Sequence, residues 1–345
     1  KSSKRKAMTL MRDQLPHKGL EAWKWSDLRA VVGAGEIKGF DAAMPARLDG
    51  PTLTSANILP AAPEEALGQI AAEYADGVTS VVVPEGASFD QPLELRDLST
   101  GNARIRIEVG KGASLDVIEH HEGEAGFANL DLTYVVKDGG TLRRTVLSDD
   151  GEDMIRHVRA HITLWDNATF RQTALSFGGK FSRLETRLAC MGPVDAELSG
   201  AYLLNGSRHC DMTHYTDLAA PGSRIRDAVA GVVTDKSRGV FQGKFHVRRP
   251  AQETDAEMRH DALMLSEFAK VNAKPELEIY ADDVECAHGN TVGQLDEQAL
   301  FYMRQRGIPL GEARALLLEA FIVARLGEDK ALAERVRGWL IQTAS

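Results

Sequence analysis

The chain has 345 residues, 43% of them hydrophobic, enough for one large core or for two to three domains. A net charge of −9 argues against a nucleic-acid partner, which usually calls for a basic face. Cys190, Cys210 and Cys286 are too few and too scattered for a disulfide framework, and no run of about 18 apolar residues exists to span a membrane. The basic start, Lys1 to Lys6, lacks the apolar segment of a signal peptide, so a reducing cytoplasm is the expected location.

From residue 5 to about 32 the apolar residues Met8, Leu10, Met11 and Leu15, then Leu20, Trp23, Leu28 and Val32, fall at loose helical spacing. Pro16 divides them into two short helices. Residues 41–64 are rich in Pro, Ala and Asp and read as a connector, and a further short helix is expected from Pro63 to Tyr74. These segments make an N-terminal helical region over 1–78.

From Thr79 the texture becomes strand and turn. Val81 to Val83, Ile105 to Val109, Leu130 to Val136 and Val158 to Trp165 run or alternate apolar between Gly, Asn and Asp. A turn residue followed by small or polar residues and then an apolar anchor recurs, as in Gly112-Ala-Ser-Leu115 and Asn167-Ala-Thr-Phe170. The anchors Phe89, Leu115, Leu142, Phe170, Leu198 and Ile225 are 26 to 28 residues apart, and Leu277 lies two intervals of 26 beyond. Each interval has room for two or more strands, so a stacked β-helix over 79–293 is expected, with a β-sandwich as the alternative. From residue 294 to the end three helices are expected. Leu295 to Met303 stops at Gly307, an apolar face runs from Ala313 to Ala324, and a third helix carries Leu332, Val336, Trp339 and Leu340. Covering the open end of the stack is their structural reading, and a partner surface the functional one.

Phosphate loops are not supported. Arg238 to Phe245 and Phe177 to Ser182 contain Gly-Lys but lack the Walker spacing, so this chain is not expected to hold ATP by that mechanism. His120 with His121 would face opposite ways on a strand. His157 with His161, and His209-Cys210 with His214, make thin metal sites. Cys286 and His288 are two apart and would share a strand face, a half-site for iron or zinc whose other ligands must come from elsewhere. A small buried Cys286 and a turn-capping His288 are the structural alternative.

The segment Pro275 to Glu297, which contains Cys286-Ala-His288-Gly289, resembles the signature of the SufB/SufD family of iron–sulfur cluster assembly proteins. Ser237-Arg-Gly-Val-Phe-Gln-Gly-Lys244 is similar to a second family segment, and Ala299 to Gly307 fits the start of the family's C-terminal helices. Leu20-Glu-Ala-Trp-Lys-Trp-Ser-Asp-Leu28 resembles the start of SufD members, with Trp25-Ser26 where Tyr-Thr is usual, so the SufD branch is the better match.

The resemblance implies a mainly β fold, a right-handed parallel β-helix flanked by N-terminal and C-terminal α-helical regions. It implies a non-catalytic scaffold that pairs with a SufB-like subunit and binds a SufC-like ABC ATPase through the C-terminal helices, with Leu317 and Phe321 as candidate contacts. A homodimer in isolation is a further expectation. His288 matches the family's interface histidine, and Cys286 the neighbouring cysteine of less certain role. Both are candidate ligands of iron or of a transient iron–sulfur cluster shared with the partner. Asp282, Asp283 and Glu285 could attract iron or simply be a solvated strand edge. The rivals are a secreted β-helix polysaccharide lyase and an inert interaction protein.

Overall fold

The computed structural model describes residues 13–33, 35, 37–55, 65–327 and 329–343. Met8, Leu10, Met11 and Pro63 of the expected helices lie outside the described residues, as does the connector from 56 to 64.

Two nine-stranded sheets form the body. One contains β1 (Arg47–Asp49), β4 (Leu93–Arg96), β6 (Ser114–His121), β8 (Thr141–Ser148), β10 (Thr169–Ser176), β12 (Asp195–Leu204), β14 (Arg224–Val233), β16 (Thr254–Met264) and β18 (Val284–Gly293), neighbours in that order. The other contains β2 (Thr54–Ser55), β3 (Thr79–Val83), β5 (Gly101–Val109), β7 (Ala125–Val136), β9 (Asp153–Leu164), β11 (Phe181–Cys190), β13 (His209–Leu218), β15 (Arg238–Val247) and β17 (Lys270–Ile279), again neighbours in order. The chain alternates between the sheets, and β3 to β18 pair with one another only in parallel. The result is a parallel β-solenoid of about eight coils.

The sequence period is the length of one coil. Leu115, Leu142, Phe170 and Ile225 stand at one register position, stacked toward the interior. Each is essentially inaccessible, and burying such a side chain contributes about 1.5–3 kcal/mol. Ala196, not Leu198, completes that row, with Leu198 two residues further along on the same face. Leu277 belongs to the other sheet, opposite Phe245, and Phe89 lies in the turn before β4. The turn residues have a conformational reason. Gly112 (φ +63°) and Asn167 (φ +58°) adopt the left-handed region, and Asn167 N–H bonds to Pro193 O of the next coil at 2.7 Å.

The interior is not wholly apolar. Glu119, Tyr134, Arg144, Gln172 and Thr186 are buried on interior-facing rows and satisfy one another. Arg144 donates to both Glu119 oxygens (2.6 and 2.9 Å) and to Gln172 Oε1 (2.6 Å), and Tyr134 O–H donates to Glu119 (2.6 Å). Further along the stack, His214 pairs with Asp227 at 2.8 Å.

Two parts of the architecture depart from the sequence expectation. Part of the connector forms strands, with β1 pairing antiparallel to β4 and β2 to β3, which closes the edge of the first coil. The C-terminal helices do not cover the far end of the stack. These helices are α3 (Glu297–Gln305), α4 (Leu310–Leu326) and α5 (Lys330–Thr343), after α1 (Leu28–Val32) and α2 (Ala66–Tyr74). Leu318, Ile322, Val336 and Leu340 pack on Leu147, Leu175, Ala201, Leu203, Ala230 and Val232, the outward side chains of β8 to β14. Those strands bury both faces, so the apolar outer stripe needs a cover more than the end does. Asp296 starts α3 by accepting from Gln298 N–H (2.8 Å) and Ala299 N–H (3.2 Å). Among the described residues no helix is long and apolar enough to cross a membrane.

Candidate functional site

β18 is the last strand of its sheet, and it pairs with β16 so that Ala256 lies opposite Cys286, Met258 opposite His288 and His260 opposite Asn290. Traced back through the stack, Cys286 continues the row of Phe170, Ala196, Ile225 and Ala256. His288 continues the row of Arg144, Gln172, Leu198, Asp227 and Met258. Every earlier member of both rows named here is buried. Cys286 and His288 therefore share a face, about 6.6 Å apart along the strand, and it is the face each preceding coil turns inward. No further strand follows β18 in its sheet, so His288 is exposed and Cys286 is half-buried against the core.

Partial burial pushes the Cys286 thiol up, with a smaller opposing contribution from a backbone hydrogen bond at Ala256. The thiol is protonated at neutral pH and would release its proton on binding a metal. Asp282 and Asp283 are exposed in the turn before β18, where their N–H groups donate to Gln252 Oε1 (3.2 and 2.8 Å). Glu285 points to the outer face, away from Cys286 and His288, so the three carboxylates do not converge on the pair.

The other metal candidates do not assemble into a ligand set among the described residues. His120 pairs with Glu94 (3.1 Å), while the buried His121 pairs with Glu119 (3.0 Å) on the opposite face. His157 is fixed on the outer face by Asn129 (2.9 Å), with the Trp23 ring 5.9 Å away, and burial holds its imidazole down at about 3. His209 meets Trp25 O (3.3 Å) on that same outer face, whereas Cys210 faces the interior and burial raises its thiol to about 12. Among the described residues no group of three or more His, Cys, Asp or Glu side chains could hold a metal ion.

The N-terminal segment closes over the outer face of the second sheet. Arg183 lies 4.1 Å from the Trp23 ring and donates to Asp211 (2.6 Å) and to Ala22 O (3.0 Å). Lys274 on β17 pairs with Glu21 at 2.7 Å. On the C-terminal helices, Leu317 is half-buried, and Phe321 is half-buried against the internal cluster. Phe301 and Leu316 are more exposed, at 65% and 44%. A cavity of about 590 Å³ lies between these helices and the end of β16, lined by Met264, Leu295, Arg314, Leu318 and Trp339, and the expected site residues do not line it.

A family model described as SUF system FeS cluster assembly, SufBD core domain, matches residues 95–321. The chain belongs to the SufB/SufD family of iron–sulfur cluster assembly proteins. It is similar to the iron–sulfur cluster assembly protein SufD of Escherichia coli (strain K12), 27% identical over 378 aligned residues that cover 95% of this chain and 89% of that protein. Protein ABCI7, chloroplastic, of Arabidopsis thaliana is 30% identical over 259 residues, 70% of this chain and 54% of that protein. An iron–sulfur cluster assembly SufBD family protein of Mycobacterium bovis is 28% identical over 260 residues, 72% of this chain and 64% of that protein. The alignment over nearly the whole of SufD puts the chain on the SufD side of the family. Membership also sets aside the polysaccharide-lyase alternative, which rested on the β-helix fold alone.

Sequence reasoning missed Asn290, which joins Cys286 and His288 on the inward face of β18, and the buried Glu119–Arg144 cluster. The spacing 286, 288, 290 was a signal for the first. The second assembles across coils and carries no local motif.

Proposed function

We propose that this chain is a non-catalytic scaffold subunit of a SufBCD-type complex that assembles iron–sulfur clusters, and that His288 is its principal ligand for iron or for the nascent cluster. The observation that carries the reading is the placement of His288 on the inward face of the last coil, exposed, with Cys286 beside it. A histidine and a cysteine cannot saturate an iron, and the remaining ligands would come from a SufB-like subunit docked on the same end. The cluster is cargo, and an imidazole ligand is more easily displaced than a thiolate, which suits a site that must give its cargo up. Cys286, with its raised thiol, is the secondary ligand.

The uncovered edges of β17 and β18 supply backbone donors and acceptors for a partner strand, and a second copy of this chain could use them in isolation. A SufC-like ATPase would bind the C-terminal helices and supply the ATP chemistry. Of the candidate contacts, Leu317 is half-buried and Phe321 packs on the internal cluster, so exposed Phe301 and Leu316 are added as contacts. Motion of the ATPase pair would pass through α4, which rests on β10 to β14, into the stack. The proposed complex is cytoplasmic.

The test is anaerobic reconstitution with SufB-like and SufC-like partners, ferrous iron and sulfide. His288→Ala is expected to leave the fold and partner binding intact and to lose the visible absorption of the cluster. Normal cluster accumulation in this variant would make His288 structural.

A further inference from the structure

Asn290 stands two residues beyond His288 on the inward-facing side of β18 and is exposed at the end of the stack. Its amide is not free to rotate. His260, on β16 directly beneath, lies with Nδ1 2.8 Å from Asn290 Oδ1. An amide oxygen only accepts, so Nδ1 carries the proton, and Nε2 accepts from the Tyr202 hydroxyl at 2.9 Å. The imidazole is itself clamped. It stacks on Phe241 with centroids 4.9 Å apart and planes within 2°, and His260, Phe241 and Tyr202 are all inaccessible. Gly231 and Gly239 make room for the Tyr202 ring, since a Cβ at either would overlap it. A chain of fixed groups thus runs from the interior to Asn290 and holds its oxygen toward the stack. Because the amide is planar, fixing its oxygen also fixes its nitrogen, which takes no part in that bond.

We infer that Asn290 is a third residue of the cargo site, presenting oriented N–H donors to an anionic sulfur, a sulfide or thiolate on iron held by His288. The inference rests on the reading of His288 as a ligand. Sulfur bound to iron accepts N–H hydrogen bonds, which withdraw negative charge and raise the reduction potential of the cluster. His260 and Tyr202 act through Asn290 as positioning residues. Their contribution is to fix the donor before cargo arrives, so that binding does not have to order it.

The experiment uses the full chain reconstituted anaerobically with its SufB-like and SufC-like partners, ferrous iron and sulfide. It reads loss of the visible band to an iron chelator and the reduction midpoint. Asn290→Ala is expected to load a cluster that is stripped about tenfold faster, the size of one charge-assisted hydrogen bond, with a more negative midpoint and a lower thermal stability, since the buried His260 Nδ1–H loses its acceptor. Asn290→Asp keeps the acceptor for His260 but removes the donors, and is expected to match or exceed that loss. Asn290→Ser restores a hydroxyl donor and recovers part of it. Wild-type stripping and midpoint in both the Ala and Asp variants, while His288→Ala fails to load, would overturn the role of Asn290 and leave that of His288 standing. Normal loading by His288→Ala would overturn both.

Discussion

Arg144→Met removes the cation from an enclosed ion pair of the solenoid interior. Arg144 and Glu119 are both buried, and the guanidinium makes two bonds to the carboxylate at 2.6 and 2.9 Å. Burial alone pushes the Glu119 carboxyl up. The Arg144 charge, with the bonds from His121 and Arg144, more than offsets it and holds the group at about 2 instead of 4.5. Breaking a buried pair from one side typically costs about 3–5 kcal/mol, and the loss here is expected on the order of 3 kcal/mol at neutral pH. The sign follows from the direction of the shift. Because the folded value lies below the unfolded one, this stability is complete above about pH 4.5 and is lost as the pH falls toward about 2. In Arg144→Met only the bonds from His121 and Tyr134 still oppose the burial, so the carboxyl rises and protonation relieves the charge left in the folded interior.

The penalty in urea unfolding is therefore expected to be about 3 kcal/mol at pH 7 and to shrink by about pH 3. Adding Glu119→Leu to Arg144→Met should recover part of the loss at pH 7, because no charge is then left unpaired, although Tyr134 and His121 lose their partner. A penalty equal at both pH values, or a double variant as unstable as the single, would refute the assignment of this cluster as a charge-compensated core.

Gly231→Ala places a methyl group where the Tyr202 ring lies, and should lower stability by about 1–3 kcal/mol. Tyrosine fluorescence or side-chain NMR should show the Tyr202 hydroxyl leaving His260. Ile322→Ala empties a fully buried site between α4 and the outer face of the sheet, at a cost of about 2–5 kcal/mol. Hydrogen exchange should accelerate in residues 310–343 before it does in β8 to β14. Cys286→Ala removes a half-buried sulfur at an uncovered coil, so thermal stability should fall by less than about 1 kcal/mol. Its cluster yield should fall less than that of His288→Ala.

The solenoid was legible because stacking forces each coil to nearly the same length and to a turn of restricted conformation, and both leave a mark in the chain. The row of Leu115, Leu142, Phe170 and Ile225 shows this. Leu198 and Leu277 show the limit. An apolar residue two positions along the strand, or on the facing sheet, preserves the interval without sharing the row. The place of the C-terminal helices was hidden for a related reason. Ala201, Tyr202, Leu203 and Leu204 read as one apolar run, and only the folded register separates Tyr202 and Leu204, which face the interior, from Ala201 and Leu203 under α4. At the site, strand alternation was enough to put Cys286 and His288 on one side. Which side faced inward, and that β18 was the last strand to carry it, depended on the whole stack. The Tyr202–His260–Asn290 chain spans 88 residues of sequence and could not be read locally.

The central claim is that His288 binds the cargo, and the most direct measurement is pulsed electron paramagnetic resonance of the reduced, cluster-loaded complex. Histidine labelled with ¹⁵N would be incorporated into this chain alone. A ¹⁵N hyperfine coupling of the size of a directly bound imidazole is expected in the wild-type complex, and its loss in His288→Ala. A loaded cluster with no such coupling, or one whose coupling survives the substitution, would contradict the account.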